Sequence, residues 1–176
     1  MRGVDPEGGA LRGRVYYYDY YGVALHALGE HEQELAISKR GRAQYPGRLY
    51  VAFVELHALA ALGRIPELEA LLHEMRAMAP DLRVNATGAY CDAMYELRAH
   101  DHAEAALAVS KELVARLAEK PSGETSARAA RLERLEALIA THQWADVQSL
   151  AGSGVTDDST NVPANGGRAL AAAGGG

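Results

Sequence analysis

The chain has 176 residues, with 18 Lys and Arg against 23 Asp and Glu, and a formal net charge of −5 at neutral pH. That is room for one domain or a short run of repeats around a substantial core. Alanine and leucine are the two most frequent residues, whereas Phe and Trp occur once each. This balance favours packed helices over an all-β fold. The single cysteine, Cys91, excludes a disulfide scaffold and a Cys-rich metal cluster, and it fits a reducing compartment. The opening stretch Met1-Arg2-Gly3-Val4-Asp5-Pro6 has no apolar core of the kind a signal peptide needs, and no uncharged apolar run reaches 18 residues, so the expected setting is soluble and cytoplasmic, with no membrane span.

In chain order, residues 1–14 are glycine-rich and read as a flexible segment. The spacing of apolar residues then predicts helices over about 15–28, 31–45, 48–62, 66–78, 82–99, 102–119, 125–140 and 143–150. The first holds Tyr16, Tyr17, Tyr18, Tyr20 and Tyr21, five rings that exceed what one inner stripe of a helix can hold. Two assignments fit the surplus rings: they line a groove, or they pack on a further helix or a second copy of the chain. The fourth helix begins near Pro66, a residue suited to a helix start. Lys120-Pro121-Ser122-Gly123-Glu124-Thr125 breaks the chain and supplies a Ser/Thr cap before the seventh. From Gly152 to Gly176 bulky apolar residues are too few to offset ordering, and this tail is expected to be disordered.

The turn markers repeat. Leu28-Gly29 recurs as Leu62-Gly63, and Tyr45-Pro46 recurs as Ala79-Pro80, each displaced by 34 residues. A glycine can end the first helix of a pair in the left-handed conformation, and a proline cannot continue the second. His100-Asp101-His102-Ala103-Glu104-Ala105 and His142-Gln143-Trp144-Ala145-Asp146-Val147 mark two further turns, His100 standing 37 residues after Gly63 and His142 a further 42 on. With Tyr18, Gly22, Leu25, Gly41 and Pro46 in the first unit and Leu59, Leu68 and Pro80 in the second, residues 15–150 resemble the tetratricopeptide-repeat superfamily. In one respect the pattern departs: Glu34 stands where the family has an alanine near the start of the second helix.

The resemblance implies an all-α fold, an α-solenoid of about four antiparallel helical hairpins in a right-handed superhelix covering 15–151. It also implies a non-enzymatic scaffold that takes a peptide or partner segment in a concave groove, similar to the helical-repeat regions of bacterial signalling proteins. Carried over position by position, the groove holds Tyr16, Asp19, Val23 and His26 from the first unit, Tyr50, Phe53, His57 and Ala60 from the second, and Tyr90 and Met94 from the third. Lys, Asn and Arg, which clamp a terminal carboxylate in co-chaperone members, are replaced by Asp19, Val23 and Phe53, so the groove suits an apolar or Tyr/Pro-bearing peptide. An equally open assignment has these residues only filling the inside of the superhelix. A regulatory module that binds a small effector is the alternative function.

Other chemistries find little support in the residues. His31-Glu32-Gln33-Glu34-Leu35 opens like a zinc-protease helix, but Leu35 occupies the place of the second histidine, and no third ligand stands at a plausible spacing. His26 and His57, on first helices of adjacent units, are positioned to approach each other. The glutamates near turns read as favourable charge at helix N-termini. Gly152-Ser153-Gly154 lacks the strand of a nucleophile elbow, and Cys91 sits among apolar neighbours. The basic stretch Lys39, Arg40, Arg42 and Arg48 lies beside Glu30, Glu32 and Glu34 in an acidic chain, which disfavours nucleic acid. The expectation is therefore no catalytic residue, no metal, no cofactor and a protein or peptide partner, with self-association through Tyr16–Tyr21 or continuation into a longer array as further options.

Overall fold

A computed structural model describes residues 14–79, 85–119 and 124–154. It is all-α: eight helices, and no strand among the described residues. They are α1 (Tyr16–Ala27), α2 (His31–Gln44), α3 (Leu49–Ala61), α4 (Ile65–Met75), α5 (Ala86–Ala99), α6 (Ala103–Glu119), α7 (Glu124–Ala140) and α8 (Trp144–Gly154). The eight expected helices are all present, with shifts of a few residues at their ends. Thus α4 stops at Met75 and α5 starts at Ala86, where Asn85 accepts a hydrogen bond from the Gly88 N–H at 2.9 Å and caps the helix. The eighth helix runs on to Gly154, so residues 152–154 are helical rather than part of a tail. The expectations for residues 1–13, 80–84, 120–123 and 155–176, among them the Pro80 turn marker and the start of the helix expected from 82, lie outside the described residues.

One turn is built four times. The residue after each odd-numbered helix and its cap is left-handed: Gly29 (φ 70°), Gly63 (φ 64°), Asp101 (φ 64°) and His142 (φ 55°), spaced 34, 38 and 41 residues apart. In each, the N–H after the left-handed residue donates back to a leucine carbonyl. Glu30 donates to Leu25 at 2.9 Å, Arg64 to Leu59 at 2.9 Å, His102 to Leu97 at 2.7 Å and Gln143 to Leu138 at 3.0 Å. These bonds satisfy helix-end carbonyls that would otherwise be orphaned, and all four leucines are buried. The expected left-handed glycines are therefore in place in the first two turns, and Asp and His fill the same role in the next two.

Each helix packs on its neighbours in the chain, and α1 on α3, α3 on α5 and α5 on α7 as well. The third helix is therefore surrounded, which explains why it is apolar nearly all round, with Leu49, Val51, Leu56 and Leu59 at 1 % exposure or less. Close approach needs the small residues. A Cβ on Gly22 would lie 2.1 Å from Val54 Cγ1 of α3, and one on Gly41 would lie 2.8 Å from the ring of Tyr18. The nearly buried Glu55 on α3 is answered by Arg42 of α2 at 2.9 Å, and the same guanidinium reaches Glu74 of α4 at 2.6 Å. One cation thus pins three helices. Breaking such a pair around a buried carboxylate costs about 3–5 kcal/mol.

Candidate functional site

Counting back from the left-handed residues puts the odd-numbered helices in common register. Tyr16 and Tyr50 stand thirteen residues before their turns, Asp19 and Phe53 ten, and Val23 and His57 six. In α5 the corresponding positions are Gly88, Cys91 and Tyr95, because the left-handed residue is Asp101 and not His100. One residue of slip rotates a helix face by about 100°. Tyr90 and Met94, expected in the groove, are instead fully buried, and the Tyr90 hydroxyl donates to Glu112 of α6. Burial and the neighbouring carboxylate push the Tyr90 phenol above its ordinary range. At the register of Val23 and His57, α5 presents Tyr95, 57 % exposed, a residue not among those expected.

The rest of this face is aromatic at one end. Tyr16 stacks on Tyr50 with ring centroids 5.5 Å apart, and Phe53, almost buried, meets the His57 ring edge-on at 6.3 Å. Tyr16 and Val23 are mostly exposed. Burial raises the Asp19 carboxyl above its usual range, opposed by the charge of His57. The five-tyrosine run is shared among three surfaces. Tyr18 is buried, Tyr17 and Tyr21 pack half-buried with Tyr45 on a small core of Tyr18, Leu25 and Ile37, and Tyr16 and Tyr20 remain exposed. Tyr20 stands nine residues before Gly29, as Val54 stands nine before Gly63, and Val54 is the side chain that α1 covers. Tyr20 thus holds on α1 the place that Val54 holds on α3, and it is left in solvent.

At the other end of the same face the structure gathers histidines and carboxylates from four helices and a turn. His26 (α1), His31 (α2), His57 (α3) and His100 lie together: ring centroids are 4.9 Å apart for His26–His31 and His31–His100, and 5.8 Å and 5.9 Å for His26–His57 and His26–His100. Glu34 of α2, 1 % exposed, brings one carboxylate oxygen to His26 Nδ1 at 3.0 Å and His31 Nδ1 at 3.2 Å. Glu96 of α5 lies 3.3 Å from His26 Nε2 and 3.7 Å from His100 Nε2, and Asp92 lies 3.7 Å from His57 Nε2. The expected approach of His26 and His57 is present. The other members were not anticipated together, and Glu34, read as helix-terminus charge, is buried between two imidazoles.

Burial, reinforced by Glu96, pushes the Glu34 carboxyl up to about 8. Burial holds the His26 and His31 imidazoles below their ordinary value, neighbouring histidines add to this, and Glu96 opposes it. At neutral pH His26 and His31 therefore favour the neutral imidazole, the form in which a ring nitrogen can accept a proton or bind a cation. Cys91 stays apart from this chemistry. Its thiol is partly buried against the core and is pushed up to about 11, first by burial and then by Glu133 and Asp92.

No helix among the described residues is long and apolar enough to cross a membrane. Comparison with family models, curated proteins and solved structures finds no match to this chain.

Proposed function

We propose that the chain is a tetratricopeptide-like array of four helical hairpins that works as a non-enzymatic protein-interaction module. Support for the array comes from the four equivalent turns, spaced 34, 38 and 41 residues apart, and from the packing of α1 on α3, α3 on α5 and α5 on α7. The observation that carries the function is the face shared by the odd-numbered helices. Val23 and Tyr95, more than half exposed, stand at matched positions on α1 and α5 with His57 between them on α3, and the exposed Tyr16 stands at the register of Tyr50. Large apolar side chains left in solvent on one face shared by α1 and α5 fit a surface that a partner covers. The binding segment is an extended or helical peptide with apolar or aromatic side chains. Tyr20, on the α1 edge, is the place for a second copy of the chain or a further hairpin.

Peptides selected by display against the full chain test the reading. Tyr95→Ser and Val23→Ser are expected to weaken a selected peptide at least about tenfold each, the range of an interface anchor. Val114→Ser, an exposed apolar residue on α6, leaves the affinity unchanged. Equal losses at all three positions, or none, would contradict a site on the odd-numbered helices.

A further inference from the structure

We infer that His26, His31 and Glu34 form a binding site for a divalent transition-metal ion of the zinc class, with Glu96 orienting His26 from behind. The inference does not depend on the interaction surface proposed above.

The first ground is where these residues stand in the repeating turns. Two residues after each left-handed position the chain has His31, Ile65, Ala103 and Trp144, and five residues after it Glu34, Leu68, Ala106 and Val147. Leu68, Ala106 and Val147 are all buried, and Ile65 and Trp144 pack on the core. Five residues before it stand Ala24, Ala58, Glu96 and Ala137, of which Ala58 and Ala137 are fully buried. The fold thus asks for apolar side chains at all three places. Those that depart are His31, Glu34 and Glu96, and the structure brings the three departures together around His26. A buried polar group needs a partner that justifies its desolvation. Among the described residues the Glu34 carboxyl group meets two imidazole nitrogens, and no lysine or arginine.

The second ground is geometry. A tetrahedral zinc ion with N and O ligands at about 2.0–2.1 Å holds those ligands about 3.3 Å apart. The Glu34 oxygen lies 3.0 Å from His26 Nδ1 and 3.2 Å from His31 Nδ1, and each of the three residues offers a ligand atom within 4.8 Å of the others. His26 Nε2 is turned the other way, 3.3 Å from Glu96. With a cation on Nδ1, Nε2–H donates to that carboxylate, the arrangement that fixes tautomer and ring orientation in histidine metal sites. Two imidazoles and a carboxylate suit zinc and its neighbours in the first transition row better than calcium or magnesium, which take oxygen ligands. Three protein ligands leave the fourth position to water or an incoming group. His100 stands beside His31 and, with His26 and Glu96, forms a second close trio.

The test uses the full chain stripped with a chelator and titrated with Zn²⁺ by calorimetry, with Co²⁺ as a spectroscopic probe whose ligand-field absorption reports tetrahedral N/O coordination. One equivalent of zinc is expected to bind. His31→Gln is expected to weaken it more than about 100-fold and Glu96→Gln by about 10–100-fold. His73→Gln, at an exposed histidine of α4, leaves affinity unchanged. Circular dichroism verifies that each variant is folded; should His31→Gln fail to fold, Glu96→Gln decides by the same comparison. A wild-type chain that takes up no stoichiometric metal, or a folded variant of the pair that binds as tightly as wild type, overturns the proposal.

Discussion

Glu34 shows how much a single residue can reveal when its place in a repeat is known. The sequence marks it as an exception, since a glutamate occupies a position that the resembling family fills with alanine. Its surroundings were not legible there, because Glu96 and His100 come from more than sixty residues away and reach it only through helix packing. A search for two histidines four apart on one helix passes over a site whose ligands come from different helices. The left-handed turn was legible at Gly29 for a simpler reason, since glycine adopts that backbone more readily than any other residue. A Cβ placed on Gly29 meets nothing within 4 Å, so Gly29→Ala isolates the backbone cost. It is expected to lower stability by about 1 kcal/mol in urea denaturation with an unchanged m-value. An unaltered midpoint would contradict the left-handed conformation.

Among elements, helix existence was easier to read than helix phase. All eight helices follow from apolar spacing and turn residues, but the groove assignment in α5 depended on which residue of His100-Asp101-His102 carries the turn. The positive φ falls on Asp101, and that single step moves Tyr90 and Met94 into the core and brings Tyr95 to the surface. No local signal separates the two choices, since aspartate and histidine both tolerate the left-handed region. The contact between α1 and α3 offers a sharper test of packing. With its Cβ 2.1 Å from Val54 Cγ1, Gly22→Ala is expected to cost about 1–3 kcal/mol by overpacking. Val54→Ala removes the obstructing methyls, so its own cost should fall by about 1 kcal/mol or more when Gly22→Ala is already present. Additive losses in that double-mutant cycle would contradict the close approach.

For the whole molecule, the all-helical class and the order of the eight helices could be read from the sequence, because both rest on local rules: apolar period, cap and breaker. The shared face could be read only in part, because it depends on the phase of each odd-numbered helix and on which rings the core absorbs. Of the five clustered tyrosines, three are taken up wholly or partly by packing around α1 and two are left to solvent. The central claim is that a partner docks across α1, α3 and α5. Photo-cross-linking tests it most directly, with a photoreactive phenylalanine analogue placed in turn at Tyr16, Tyr95 and, as a control on an even-numbered helix, the exposed Glu69 of α4. The account predicts that a display-selected peptide is captured from positions 16 and 95 and not from 69; capture from 69 alone, or equally from all three, would contradict it.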